Sequence, residues 1–241
     1  MKKLLSLLLS CICCFTFFSC KEENPRKFVD NGIMYERITF EHSENETPKE
    51  ELRVIGCESD VTILTVPASI NDLTVSGIGR DAFCNNTQLK EITLPDTIDH
   101  ISLCEAPFKG CNNVEKITVA FSDITLLFTE YGNSDNESIP SSLHYVYLTK
   151  ACKKISPRDF YKCTYIREVH IPNSVEIIED GSDLTTIGAN GIQAEDKYWF
   201  PFFGCSNLSI YCESYSKPSG WGEYWNNISS TAKATVYWNQ Y

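Results

Sequence analysis

The chain has 241 residues, 42% hydrophobic and 22% charged, and its 21 basic and 32 acidic side chains give a net charge of −11. This composition excludes a disordered polymer, and the lack of an apolar run of ~18–20 residues after the N-terminus excludes a polytopic membrane protein. An acidic chain without clustered lysine or arginine also argues against nucleic acid and anionic lipid as partners.

Residues 1–20 predict an export signal that ends in a lipid anchor. Lys2 and Lys3 precede an apolar run over residues 4–18, which is too short to span a bilayer comfortably. The run stops at Cys20, and polar sequence follows at once. This pattern resembles a bacterial lipoprotein signal, in which the cysteine becomes the lipidated N-terminus. Cys11 fits less well because it would leave a very short apolar run.

Residues 21–30 predict a tether between the anchor and the body of the protein. The sequence Lys21-Glu22-Glu23 resembles the short signal that directs some bacterial lipoproteins to the outer face of the outer membrane. The resemblance implies an outer membrane lipoprotein, exposed at the cell surface and touching the membrane through its lipid anchor only. An ordinary solvated tether is the alternative.

The body of the chain repeats a fixed spacing. A phenylalanine starts each unit and an apolar residue follows at +6. Three units also have apolar residues at +9 and +11, two of these have proline at +12, and the pattern shortens after +6 in the last unit. The last two apolar residues flank one polar residue, as in a strand with one buried face, and proline ends the strand because it has no N–H to donate. Stacked units would bury a continuous core. The units start at Phe83, Phe108, Phe160 and Phe202.

The sequence Pro107-Phe108-Lys109-Gly110-Cys111-Asn112-Asn113-Val114, with its counterpart at residues 201–208, resembles the bacterial surface leucine-rich repeats called BspA-like. The resemblance covers residues 52–239. It implies a β-rich α/β solenoid, a leucine-rich repeat stack of short strands and turns with caps at both ends. Asn86 and Ala120 depart from the pattern, since other units have cysteine and proline there.

This architecture predicts a division of the chain into caps and repeats, because the ends of an open stack need covering. We expect an N-terminal cap at 31–60, repeats at 61–210 and a C-terminal cap at 211–241. Two stretches interrupt the spacing, at about 120–138 and 179–199. Their acidic side chains leave calcium binding open, but solvated loops are the other interpretation because neither has a known calcium-loop spacing.

Eight cysteines follow Cys20. An even number in an exported chain favours disulfides, whereas a buried free thiol is a small hydrophobe suited to a position beside a phenylalanine. The sequence leaves both interpretations open. Outside the signal, no cysteine or histidine has metal-ligand spacing, so we expect no metal or other cofactor. Three of the cysteines share one repeat position: Cys111, Cys163 and Cys205.

The chain contains no recognised catalytic motif around its four histidines. A short-repeat solenoid offers an exposed face rather than a cleft, so water is hard to exclude from it. We therefore expect a protein that is not an enzyme. A hydrolase assembled from distant residues is the least favoured alternative.

The outward residues of the predicted strands should form a stripe, because stacked strands place equivalent positions side by side. Tyrosine gives such a stripe a large contact area with polar ends and is enriched at interfaces. The alternative is that exposed threonine and tyrosine merely suit strands. The candidate binding residues are Tyr145, Tyr147, Glu168, His170 and Tyr211.

These expectations combine into a monomeric, non-catalytic surface protein. The resemblance implies adhesion in some family members, so we expect recognition of a host protein, a matrix component or a glycan through the stripe. A structural or accessory subunit of a bacterial surface complex is the alternative.

Overall fold

The computed structural model describes residues 26–40, 48–98, 106–129, 138–181 and 200–240. Most of these residues lie in short strands joined by turns. The strands are β1 (Lys27–Asp30), β2 (Ile33–Phe40), β3 (Lys49–Cys57), β4 (Ile63–Thr65), β5 (Ser69–Ile70), β6 (Leu73–Ile78), β7 (Glu91–Thr93), β8 (Lys116–Val119), β9 (Tyr145–Leu148), β10 (Lys154–Ile155), β11 (Glu168–Ile171), β12 (Ile177–Ile178), β13 (Ser209–Cys212) and β14 (Thr235–Trp238), and α1 is Thr125–Phe128.

A seven-stranded parallel sheet runs the length of the stack. Its order is β4-β7-β8-β9-β11-β13-β14, so neighbours in space follow one another along the chain. One residue of each strand points inward at the same register, and all but the last are fully buried. These residues are Leu64, Ile92, Ile117, Val146, Val169, Ile210 and Val236.

Phenylalanine rings pack along the interior opposite the sheet. Phe83 stacks on Phe108 with ring centroids 4.7 Å apart, and Phe160 stacks on Phe202 at 5.0 Å. All four rings are buried. Each fully buried side chain of this kind contributes roughly 1.5–3 kcal/mol by its removal from water. The repeated phenylalanines therefore form the common core of a β-solenoid, as the spacing predicts.

The segment at 121–129 also belongs to the stack, although the spacing assigns it to an interruption. The N–H of Phe108 donates to the carbonyl of Leu127 at 2.9 Å. Phe83 makes the same bond to Pro107, the residue before Phe108. Phe128 therefore takes the place of the next phenylalanine, and it is buried with its ring 6.5 Å from Phe108. It was missed because the next apolar position, Leu143, follows at +15 instead of +6.

The α/β part of the predicted fold class is not found in the described residues. Their one helix is the four-residue α1. On the far side of the stack, β10 and β12 pair in parallel, and a further bridge joins Ile178 to Trp221. Within the described ranges, no helix has the length and apolar character needed to cross a membrane.

The two ends of the stack differ in structure. At the N-terminal end, β1, β2 and β3 are antiparallel, and β3 then pairs in parallel with β6. At the other end, the predicted boundary at 210/211 falls inside β13, and β14 continues the parallel sheet in register. Buried Trp221 and Trp225 pack edge to face beneath this last strand. The ring centroid of Trp238 lies 6.0 Å from that of Trp221 and 6.1 Å from that of Trp225.

The seven cysteines of the described ranges are free thiols, while Cys104 lies outside those ranges. Two of the buried thiols donate hydrogen bonds to backbone carbonyls of a neighbouring unit. Cys111 donates to the carbonyl of Phe83 at 3.0 Å, and Cys205 donates to that of Phe160 at 3.1 Å. Burial raises the pKa of Cys111 to about 11 and that of Cys205 to about 12. These thiols therefore stay protonated, and they serve as packing and hydrogen-bonding groups.

A buried carboxyl connects the segment before α1 to the next unit. Asp159 contacts the hydroxyl of Ser122, which also lies 3.1 Å from the carbonyl of Lys154. The N–H of Ser156 donates to the same carboxyl oxygen at 2.7 Å. Burial raises the pKa of Asp159 to about 7, because the charged form loses its hydration. A protonated Asp159 can donate to Ser122 while Ser122 donates to Lys154, which satisfies both contacts with one proton each.

Candidate functional site

The outer face of the seven-stranded sheet carries two rows of side chains, one on each side of the buried register position. The alternation of side chains along a strand produces these rows, and the parallel register aligns them. The first row is Ile63, Glu91, Lys116, Tyr145, Glu168, Ser209 and Thr235. The second row is Thr65, Thr93, Thr118, Tyr147, His170, Tyr211 and Tyr237.

The last four members of the second row form a stack of rings, which we call the aromatic ladder: Tyr147, His170, Tyr211 and Tyr237. Successive ring centroids lie 4.0, 4.7 and 4.9 Å apart, with interplanar angles of 13°, 9° and 13°. Neighbouring strands lie about 4.8 Å apart, so equivalent rings meet face to face without distortion. The faces of the two central rings are therefore covered, and the ladder presents ring edges to solvent.

Charges on the first row are paired at one end of the sheet. Lys116 Nζ lies 2.9 Å from a carboxylate oxygen of Glu91 and 5.5 Å from the centroid of the Tyr147 ring. The lysine therefore neutralises Glu91 and covers the free face of the first ring in the ladder. Cation–π contacts at exposed sites contribute roughly 0.5–1 kcal/mol.

Glu168 has a different environment. One of its carboxylate oxygens lies 3.4 Å from Nε2 of His170, two residues along the same strand. Burial lowers the pKa of His170, and Glu168 opposes this shift only in part. The imidazole is therefore mainly neutral at pH 7, and the pair is a hydrogen bond to a charged carboxylate. Desolvation, followed by the charge of Glu168, raises the pKa of Tyr211.

All five residues singled out in the sequence lie on this face. Tyr147, His170 and Tyr211 are members of the aromatic ladder, and Tyr145 and Glu168 are register partners in the first row. Sequence reasoning missed Tyr237 because residues 211–241 were assigned to a cap. The sequence at 235–238 repeats the alternation at 209–212, with tyrosine as third residue in both, and this signal would have identified the position.

The cleft and the polar clusters elsewhere in the described residues are weaker candidates for a functional site. A cleft of about 350 Å³ lies beside the first phenylalanine unit, lined in part by Cys57, Cys84 and Asn86. In the part of the chain that the structure describes, no group of three or more histidine, cysteine, aspartate or glutamate side chains is arranged to hold a metal ion. Asp180, at the start of the second interruption, accepts a hydrogen bond from the N–H of Tyr224 at 2.9 Å. The other acidic residues of the two interruptions lie mainly outside the described ranges.

The family profile described as BspA type leucine-rich repeat region matches the chain in six copies, over residues 60–181 and 139–210. The match spans more than half of the chain and coincides with the stacked units. The chain belongs to this family, and the resemblance seen in the sequence is confirmed. Membership is consistent with a non-catalytic repeat protein.

Three solved structures are similar to the chain at low identity. A leucine-rich repeat protein from Bacteroides capillosus is 19% identical, with 78% of this chain and 99% of that chain covered and a TM-score of 0.37. One from Bacteroides ovatus is 18% identical, covering 84% of this chain and 57% of that one, with a TM-score of 0.37. A leucine-rich cell surface protein from Faecalibacterium prausnitzii is 17% identical, covering 82% and 57%, with a TM-score of 0.31.

At these TM-scores the structural similarities carry no argument about function. The chain spans a little over half the length of two of the three proteins. A search of curated protein sequences found no match.

Proposed function

We propose that the chain is a non-catalytic recognition protein of the bacterial cell surface, which binds a protein or glycan ligand through the outer face of the seven-stranded sheet. The aromatic ladder is the observation that carries this proposal. Three earlier strands have threonine at the ladder position and still pair in register. The fold therefore does not require aromatic rings there, and their presence on four successive strands favours a role in binding.

The rigidity of the ladder supports the same role. Each ring is held by its neighbours, so little side-chain entropy remains to be lost when a ligand binds. Tyrosine hydroxyls at the ring edges can both donate and accept hydrogen bonds. Tyrosine is enriched on recognition surfaces because it supplies a large, rigid contact area with a polar end.

The location of the protein is part of the proposal. Cleavage before Cys20 and lipidation of that cysteine would place a monomer on the outer membrane, with residues 21–30 as the tether, exposed at the cell surface. Incorporation of labelled palmitate in the expressing bacterium tests the anchor, with Cys20→Ser expected to abolish labelling and Cys11→Ser to leave it unchanged. Labelling of the Cys20→Ser variant would contradict this assignment.

The ends of the stack are proposed to act as caps. Tyr35 and Leu52 are fully buried within the N-terminal sheet, and Trp221 and Trp225 are buried at the other end. Covering terminal core residues in this way prevents further units from adding to the stack. The repeats would then occupy residues 61–210, with β13 as the boundary element.

The binding test uses the chain without residues 1–20, applied to immobilised extracellular-matrix proteins and to a glycan array. The variant replaces three ladder residues by alanine: Tyr147→Ala, His170→Ala and Tyr211→Ala. It should lose binding while keeping its β-sheet circular dichroism. A matched control, Tyr165→Ala with Tyr215→Ala, removes two exposed tyrosines from elsewhere on the chain and should bind normally.

Removal of the ladder rings also removes stacking contacts worth about 0.5–1.5 kcal/mol each, so a milder variant guards against unfolding. Replacement of Tyr147, Tyr211 and Tyr237 by phenylalanine keeps the rings and removes the hydroxyls. A folded alanine variant that binds like the unmodified chain would refute the proposed face. Absence of host-ligand binding together with one stoichiometric bacterial partner in purification would favour the structural-subunit alternative.

A further inference from the structure

The two glutamates of the first row differ in their partners. Glu91 is paired with Lys116 on the next strand, with 2.9 Å between nitrogen and oxygen. Among the described residues, the one ion-pair contact of Glu168 is with His170, at 3.4 Å. The register neighbours of Glu168 are Tyr145 and Ser209, and neither is cationic. In one half of the face, Lys116 therefore neutralises the charge of Glu91. In the aromatic half, the described residues place no lysine or arginine against Glu168, which keeps its negative charge.

This carboxylate is accessible. The Glu168 side chain is 32% exposed and Tyr145 beside it is 37% exposed. The carboxylate has four acceptor positions, of which His170 occupies one. A lysine or arginine side chain from another molecule could reach it across the open face, with Tyr145 beside its alkyl stem. The net charge of −11 would attract such a cationic partner over a longer distance.

The orientation of the ladder rings favours a polypeptide ligand over a glycan. A sugar ring stacks on the open face of an aromatic ring, but the faces of His170 and Tyr211 are both covered by neighbouring rings. Lys116 lies over the outer face of Tyr147. The open ring face of the ladder is that of Tyr237 on the last strand, two strands away from Glu168. Beside Glu168 the ladder presents ring edges and hydroxyls, which suit hydrogen bonding to backbone and side-chain groups of a protein surface.

We propose that the ligand of this face is a polypeptide and that it places a lysine or arginine side chain against Glu168, beside Tyr145. This inference rests on the proposed function and specifies the partner at the same face. Glu168 acts as the charge anchor, and the aromatic ladder supplies the surrounding contact area.

The test selects a phage-displayed library of random dodecapeptides on the chain without residues 1–20. Selected peptides should be enriched in lysine or arginine relative to the starting library. The Glu168→Gln variant keeps the shape of the side chain and removes its charge. It should bind the selected peptides at least about tenfold more weakly, since the charge that strengthens the hydrogen bond to the basic side chain is lost.

Glu91→Gln is the matched control, because it removes a charge from the same row where the glutamate is already paired. It should leave peptide affinity unchanged. Peptides enriched without a basic residue, or equal losses in the two variants, would overturn the inference. If the ladder variant loses binding and Glu168→Gln does not, this inference is wrong and the proposed function stands. Selected peptides whose binding survives the ladder variant would contradict the proposed face itself.

Discussion

Replacement of Asp159 by asparagine should change how the stability of the protein depends on pH. The free aspartate has a pKa near 3.8, and burial raises it to about 7 in the folded chain. Between these values the folded state holds a proton that the unfolded state has released. The contribution of Asp159 to folding stability therefore falls as pH rises from about 4 to about 7, and it is level above that range. At 1.36 kcal/mol for each pH unit, the loss attributable to Asp159 is about 4 kcal/mol.

Asparagine cannot ionise. Because the contacts with Ser156 and Ser122 both fall on one carboxyl oxygen, the amide keeps only one of the two hydrogen bonds: its oxygen can accept from the N–H of Ser156, or its nitrogen can donate to the hydroxyl of Ser122. The cost of the lost contact is the same at every pH. The difference in stability between Asp159→Asn and the unmodified chain should therefore shift in favour of the variant by about 4 kcal/mol as the pH rises from 4 to 8. Urea unfolding followed by circular dichroism at several pH values measures this difference directly. Because the comparison is between two chains at each pH, all other titrating groups cancel.

Ser122→Ala provides a companion variant. The Ser122 hydroxyl lowers the pKa of Asp159 by hydrogen bonding to the charged carboxylate, so its removal should raise that pKa further and extend the pH dependence to higher pH. Stability curves of Asp159→Asn and the unmodified chain that run parallel from pH 4 to 8 would refute the reasoning, since the carboxyl would then titrate alike in the folded and unfolded states.

Three other perturbations test the core. Ile117→Asp should cost more than about 4 kcal/mol in urea unfolding, because it buries an unpaired charge at a fully buried position, and a cost below 1 kcal/mol would contradict the assigned register. Phe128→Ala should cost about 3–5 kcal/mol by leaving a cavity in the stack, whereas a neutral result would place Phe128 outside it. Iodoacetamide, with the products mapped by mass spectrometry, should modify the part-exposed Cys57 and Cys84 of the native chain and spare the five buried thiols, and rapid modification of Cys205 would show that its burial is wrong.

Regular spacing made most of the stack predictable. The strand positions around Ile92, Ile117 and Val169 follow from alternating apolar residues, and parallel pairing of equivalent positions follows from repetition. The same logic placed Tyr147 and His170 side by side. Stacking of their rings is a consequence of strand separation, so the neighbourhood was predictable while the covered ring faces were not.

The failures occurred where the spacing changes. Phe128 holds the same position as the other phenylalanines, but a longer connection to Leu143 hid it from a search at fixed offsets. Tyr237 was overlooked because the last strand follows a tryptophan-rich segment instead of a phenylalanine. The raised pKa of Asp159 could not be inferred at all, since it arises from burial and is opposed by a contact with Ser122, 37 positions away in the sequence. Long-range polar contacts of this kind have no period.

The uneven distribution of indole rings gives the molecule a built-in fluorescent reporter. All four tryptophans occur after residue 198, and the three that the structure describes cluster beneath the last strand. Fluorescence emission from these three indoles therefore reports on that end, whereas the far-ultraviolet circular dichroism signal averages over every strand. If the terminal turns of the solenoid loosen first, the tryptophan emission maximum shifts before the far-ultraviolet circular dichroism is lost. If the solenoid melts as a unit, both changes occur together.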